Sequence, residues 1–162
     1  ALKHPNLVNK LLIADIAPVE YKHDQSQFIK AMQKIDLSKV VKRSDATLAL
    51  SKFIEDKSLQ DFFTQSLDLK NKRWKLNLNI LQSEMKKILS FPKINRKFFG
   101  QTLFLKGEKS EYILNEHRDI IKSLFIKARF ATLKDAGHWL HAEKPREIES
   151  AVRLFFNEKK IF

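Results

Sequence analysis

From Thr102 onward the chain alternates between two hydrophobic periods, and this alternation restricts the fold more than any other feature of the sequence. Thr102-Leu103-Phe104-Leu105 is a short apolar run closed by the loop Lys106-Gly107-Glu108-Lys109-Ser110. His117, Ile120, Ile121, Leu124 and Phe125 then recur at helical spacing, with Asn115 as predicted N-cap. Ala128 to Leu133 forms another apolar run and ends at the Gly137-His138 turn; Pro145 opens a helix with Ile148, Ala151, Val152, Phe155 and Phe156 on one face. Strand, helix, strand, helix implies parallel strands joined by right-handed crossovers, with the helices packed on the sheet.

Near the N-terminus, Val8 to Ala14 is a third apolar run and reads as a strand buried on both faces, ending at Asp15 and Pro18. Between this strand and the alternating half the pattern is helical and polar-rich. Phe28, Met32 and Ile35 share one face, followed by Leu48, Phe53 and Ile54, then by Leu59, Phe62, Phe63 and Leu67. Asp24, Ser44 and Ser58 are the predicted N-caps, and Ser83 to Leu89 is predicted to be a further helix ended by Phe91-Pro92. The predicted organisation is therefore a core strand and acid loop at 1–20, a helical insertion at 21–97, and a C-terminal core at 98–162. Three parallel strands leave sheet edges uncovered, so the chain is expected to be the C-terminal part of a larger α/β domain. Its start at Ala1, without methionine, fits that expectation.

Composition narrows the setting. No apolar run approaches the roughly 18 to 20 residues of a membrane helix, and no signal peptide pattern is present. The absence of cysteine excludes disulfides and thiol catalysis and points to a reducing, cytoplasmic compartment. A net charge of +12 raises the question of nucleic acid, but the lysines are scattered among acids. Only Lys70-Asn71-Lys72-Arg73-Trp74-Lys75 is dense, and it reads as a solvated turn. Neither a membrane nor nucleic acid is expected as a partner.

In open α/β sheets ligands bind beyond the carboxyl ends of the strands. Asp15, Ser110 and His138 each fall at or just past such an end, delivering an acid, a hydroxyl and an imidazole to one rim. Acyl transfer suits this set: an imidazole takes the proton of a nucleophile and returns it to the leaving group, while a carboxylate fixes the tautomer. His141 reads as a packing residue, since no further ligands cluster near it to hold a metal. No metal or other cofactor is expected.

The segments Ile13-Ala14-Asp15-Ile16-Ala17-Pro18 and Ala136-Gly137-His138-Trp139-Leu140-His141-Ala142-Glu143-Lys144-Pro145 resemble the α/β-hydrolase fold esterases related to bacterial YbfF. The order strand, helical cap, strand, helix, strand, histidine turn, helix is similar too, so the likeness covers essentially the whole chain. It implies an α/β fold with parallel core strands, flanking helices and a helical lid. His138 then matches the family's catalytic base and Asp15 its acid. Ser110 matches an assisting serine in the family's Gly-Gly-Asn-Ser loop, which here reads Gly107-Glu108-Lys109-Ser110. Glu108 and Glu111, both after the next strand, are the alternative acids.

The family's Gly-x-Ser-x-Gly elbow does not occur in this sequence, whose three glycines are Gly100, Gly107 and Gly137. No nucleophile is therefore assigned, and a missing N-terminal hydrolase segment is the expected partner. Losing the serine of such a triad costs on the order of 10⁶ in turnover, so the isolated chain is expected to be inactive. The resemblance implies hydrolysis of a small acyl ester or thioester by a serine mechanism. Haloalkane dehalogenases and carbon-carbon bond hydrolases are alternatives on the same fold; a degenerate remnant or a basic binding module is the non-enzymatic alternative.

Overall fold

The computed structural model describes residues 1–157, which divide into two compact units. One unit joins Ala1–Val19 to the chain from Pro92 onward; the other is Glu20–Phe91. Among the described residues no helix is long and apolar enough to cross a membrane.

The first unit is built on a three-stranded parallel sheet in the order β1 (Lys10–Ala14), β4 (Phe98–Gly107), β5 (Phe125–Leu133). Strand β4 is central, with Thr102, Phe104 and Leu105 fully buried. Phe104 meets Phe125 edge-on at 5.4 Å and stacks on Phe130 at 5.7 Å, geometries that suit the aromatic quadrupole. The crossover from β4 to β5 runs through α6 (Arg118–Leu124), preceded by a 3-10 turn at Asn115–His117; Asn115, the predicted N-cap, is instead the first residue of that turn, with Leu114 at its cap position and His117 at that of α6. Ile121 is its buried anchor. After β5 come the short α7 (Leu140–Glu143) and α8 (Pro145–Asn157), whose first residue is the predicted proline. Leu105, Ala136 and Leu140 form a small core against which Ile148 and Ala151 of α8 pack. Phe155 is buried, whereas Phe156 is exposed and falls off the predicted face.

Strand β1 departs from expectation. It is half-buried rather than buried on both faces, because it lies at a sheet edge with β4 as its neighbour.

The second unit contains α1 (Ser26–Gln33), α2 (Arg43–Leu50), α3 (Lys57–Thr64), a hairpin of β2 (Leu67–Asp68) and β3 (Arg73–Trp74), α4 (Leu78–Ser83) and α5 (Met85–Leu89). Its core gathers Ile29, Met32, Ile35, Ala46, Leu50, Ile54, Leu67 and Leu78. Several predicted details are corrected here. Asp56, not Ser58, caps α3, accepting from the N–H groups of Ser58 and Leu59. Ser44 lies inside α2, and Asp45 holds that helix start by accepting from Val41 and Lys42 N–H, both at 2.9 Å. Asp24 sits one residue before the cap position of α1 and accepts from Ser26 N–H. The single helix expected over Ser83 to Leu89 is two, interrupted at Glu84. Leu48, Phe53 and Phe62 face solvent, and Leu67 belongs to β2.

Candidate active site

Strand β1 ends at Ala14, and the next residue leaves it in a left-handed conformation, Asp15 having φ of 50°. Asp is among the few side chains that tolerate this region, at modest cost. Its backbone N–H still donates to Leu105 O at 2.8 Å, so the residue remains tied to the sheet while its carboxylate lies buried, 1% exposed. Burial of a carboxylate demands hydrogen-bond donors. Three arrive from the other two strand ends: Gly107 N–H at the last position of β4 donates to Oδ1 at 3.1 Å, Ser110 Oγ donates to Oδ2, and His138 Nδ1 lies 2.8 Å from the same Oδ2.

Gly107 permits this convergence. A Cβ there would come within 2.0 Å of Gly137 O and 2.6 Å of Ala136 O, so only glycine lets the loop after β5 pass beside the end of β4. The two loops are laced together: Glu108 N–H donates to Leu133 O, Lys109 N–H to Ala136 O, Asp135 N–H to Glu108 Oε2, and Lys109 Nζ pairs with Asp135 at 3.4 Å. The two residues that differ from the Gly-Gly-Asn-Ser pattern, Glu108 and Lys109, thus direct their side chains to Asp135 and leave Ser110 on Asp15.

The histidine loop is pinned at its other side by Glu143. Its carboxylate accepts from Gly137 N–H at 2.7 Å and from Trp139 N–H at 3.2 Å, bracketing His138. Gly137 is needed for closeness rather than for an unusual φ, since an added Cβ would lie 2.9 Å from Glu143 Oε1. Tyr112 stacks its ring on the His138 imidazole with centroids 3.7 Å apart and planes 16° from parallel.

A carboxylate can only accept, so the contact with Asp15 places the proton on Nδ1 and leaves the lone pair on Nε2. The His138 side chain is 41% exposed, and among the described residues Nε2 has no hydrogen-bond partner. A buried carboxylate thus orients a partly exposed imidazole. The structure therefore gathers Asp15, Ser110 and His138, as the sequence placed them on one rim. Glu108 and Glu111 stay apart: Glu108 serves Asp135 N–H and Glu111 is exposed. Sequence reasoning passed over Gly107, Tyr112 and Glu143. The glycine at a strand end and the Glu before Lys144-Pro145 were visible; nothing local marked Tyr112. Among the described residues no group of three or more His, Asp or Glu side chains is arranged to hold a metal ion.

Known proteins resemble this chain in sequence and in fold. No protein-family model matches the chain. The chain is 34% identical over 163 residues to the mouse protein named sn-1-specific diacylglycerol lipase ABHD11, with 96% of the chain and 53% of that protein covered. It is 29% identical over 154 residues to esterase YbfF of Escherichia coli, covering 93% of the chain and 59% of the esterase. Among solved structures, a marine microorganism esterase superimposes with a TM-score of 0.88 at 32% identity, over 95% of this chain and 63% of that one. The chain thus spans little more than half the length of these curated relatives. Sheet order and these similarities together give the chain an α/β-hydrolase fold, with homologues among the esterases and lipases that include YbfF.

Proposed function

We propose that this chain carries the base and acid of a serine-type hydrolase that cleaves carboxylic esters or thioesters of short to medium acyl length without a cofactor. One observation carries the reading: Asp15 Oδ2, buried, holds His138 Nδ1 at 2.8 Å while Nε2 stays accessible. In this mechanism Nε2 takes the proton of a serine hydroxyl as its oxygen attacks the acyl carbon, and Asp15 stabilises the imidazolium. The proton then passes to the departing alkoxide or thiolate, and a water repeats the cycle to release the acid. The serine is proposed to lie on an elbow outside these 162 residues, and the isolated chain is proposed to be inactive. Ser110 assists by holding the acid. Relatives named esterase and lipase favour ester cleavage over the haloalkane and carbon-carbon alternatives. A cytoplasmic setting is proposed on the absence of cysteine.

The test joins the chain to an elbow-bearing segment, or uses the full-length protein, and measures turnover of p-nitrophenyl acyl esters. His138→Ala is expected to lower kcat by roughly 10⁶ and Asp15→Asn by about 10⁴. Undiminished turnover in His138→Ala would overturn the reading.

A further inference from the structure

We propose that Tyr112 is a positioning residue for His138, holding the plane of the imidazole through its ring and the acid through its peptide N–H. The inference rests on the role proposed above for His138. A single hydrogen bond from Nδ1 to Asp15 fixes one point of the ring and leaves it free to tilt about that point. Tyr112 covers a whole face at 3.7 Å and 16°, within van der Waals contact, which removes the tilt.

The geometry also has an electrostatic preference. Two neutral rings avoid a face-to-face sandwich, whereas a cationic ring is drawn to the electron-rich face of a phenol. The stack therefore suits the imidazolium that forms during proton transfer better than the resting imidazole. The same residue reaches the acid: Tyr112 N–H donates to Ser110 Oγ at 3.2 Å, and that hydroxyl donates to Asp15. Tyr112 itself is held between two anchors, the buried Ser110 and the buried Ile113, whose carbonyl accepts from Lys106 Nζ at 3.0 Å. One residue thus orients both members of the pair.

The 162-residue chain, labelled with ¹³C-histidine, gives the direct readout by NMR, with His138→Gln identifying its signals. Stacking is expected to move the His138 Hε1 and Hδ2 protons upfield of free histidine, an effect retained in Tyr112→Phe and lost in Tyr112→Leu. In the protein with its elbow, Tyr112→Leu is expected to lower kcat roughly ten- to hundredfold with KM changed by less than about twofold, and Tyr112→Phe to restore most of the rate. Absence of the upfield shift in the unmodified chain overturns the proposal whether or not the Leu variant folds. So does a kcat loss that Tyr112→Phe shares. Failure of the hydrolase reading is distinct: it appears as turnover surviving in His138→Ala, with the ring shift unchanged by the outcome.

Discussion

Gly107 and Gly137 lie on facing loops and exclude a side chain for different reasons, which makes them separable by mutation. At Gly107 the obstacle is backbone, the Gly137 and Ala136 carbonyls, which cannot move without opening the histidine loop. Gly107→Ala is expected to destabilise the fold by about 1–3 kcal/mol and to lengthen the contact from Gly107 N–H to Asp15; a denaturant midpoint unchanged from the parent would contradict this. At Gly137 the obstacle is the end of a flexible side chain. Gly137→Ala displaces the Glu143 carboxylate and so forfeits its bonds to Gly137 and Trp139 N–H. Glu143→Ala loses the same bonds, so the double variant is expected to be no less stable than Glu143→Ala alone, a non-additivity that a double-mutant cycle measures. Independent, additive costs would count against the clamp. These residues also mark the limit of what the sequence revealed. Asp15, Ser110 and His138 could be read because each follows an apolar run, and a strand end has a defined location in a parallel sheet. Tyr112 could not, since its stack depends on a loop path set by Ser110 and Ile113.

Elements tell a similar story at their ends and faces. Strand β4 was legible because a buried parallel strand reads as an apolar run, and α8 because proline at its first turn and a spaced apolar face agree. The helices of Glu20–Phe91 were legible as helices but not in their buried faces. Ala46 and Leu50, four residues apart, carry the core contact of α2 while Leu48 is 71% exposed, so helical phase rather than side-chain size chose the buried face. Caps were misplaced by one or two residues because carboxylates take the N–H groups at a helix start wherever they reach them: Asp56 two residues before Ser58, Asp45 one residue after Ser44, and Asp24 one residue before the cap of α1. This gives two tests. Asp56→Ala is expected to cost about 1 kcal/mol, with Ser58→Ala near neutral; equal costs would restore the serine as cap. Asp45 has its pKa held below the usual carboxylate value of 3.8, chiefly by the N–H groups of Lys42 and Val41. A lowered folded-state pKa means its contribution is complete above the unfolded value and is lost as pH falls through the folded one. The melting difference between the parent and Asp45→Asn should therefore be present near neutral pH and shrink in acid below 3.8. A difference that grows on acidification would show the sign to be wrong.

At the scale of the whole chain, two tendencies oppose each other. Net charge of +12 keeps copies apart, while β1 and β5 are edge strands of the described sheet and Leu7, Phe99 and Leu154 are 84%, 63% and 70% exposed. Charge repulsion acts through solvent and is screened, with a Debye length falling from about 30 Å at 0.01 M salt to about 3 Å at 1 M. Edge pairing and apolar contact act at short range and survive salt. The isolated 162-residue chain is therefore expected to be monomeric at low ionic strength and to self-associate as salt rises, the reverse of what a phosphate-binding basic module would do with its ligand. Light scattering across a salt series measures this, and Phe99→Lys with Leu154→Lys should push the onset to higher salt by adding charge and removing apolar surface together. A chain that stays monomeric throughout the series would mean that its exposed edges and apolar side chains are not adhesive. Salt-driven dissociation of a complex with nucleic acid would instead favour the basic-module reading of Lys70 to Lys75, although Arg73 there already pairs with Asp68 at 3.6 Å and Lys72 Nζ donates to Val40 O.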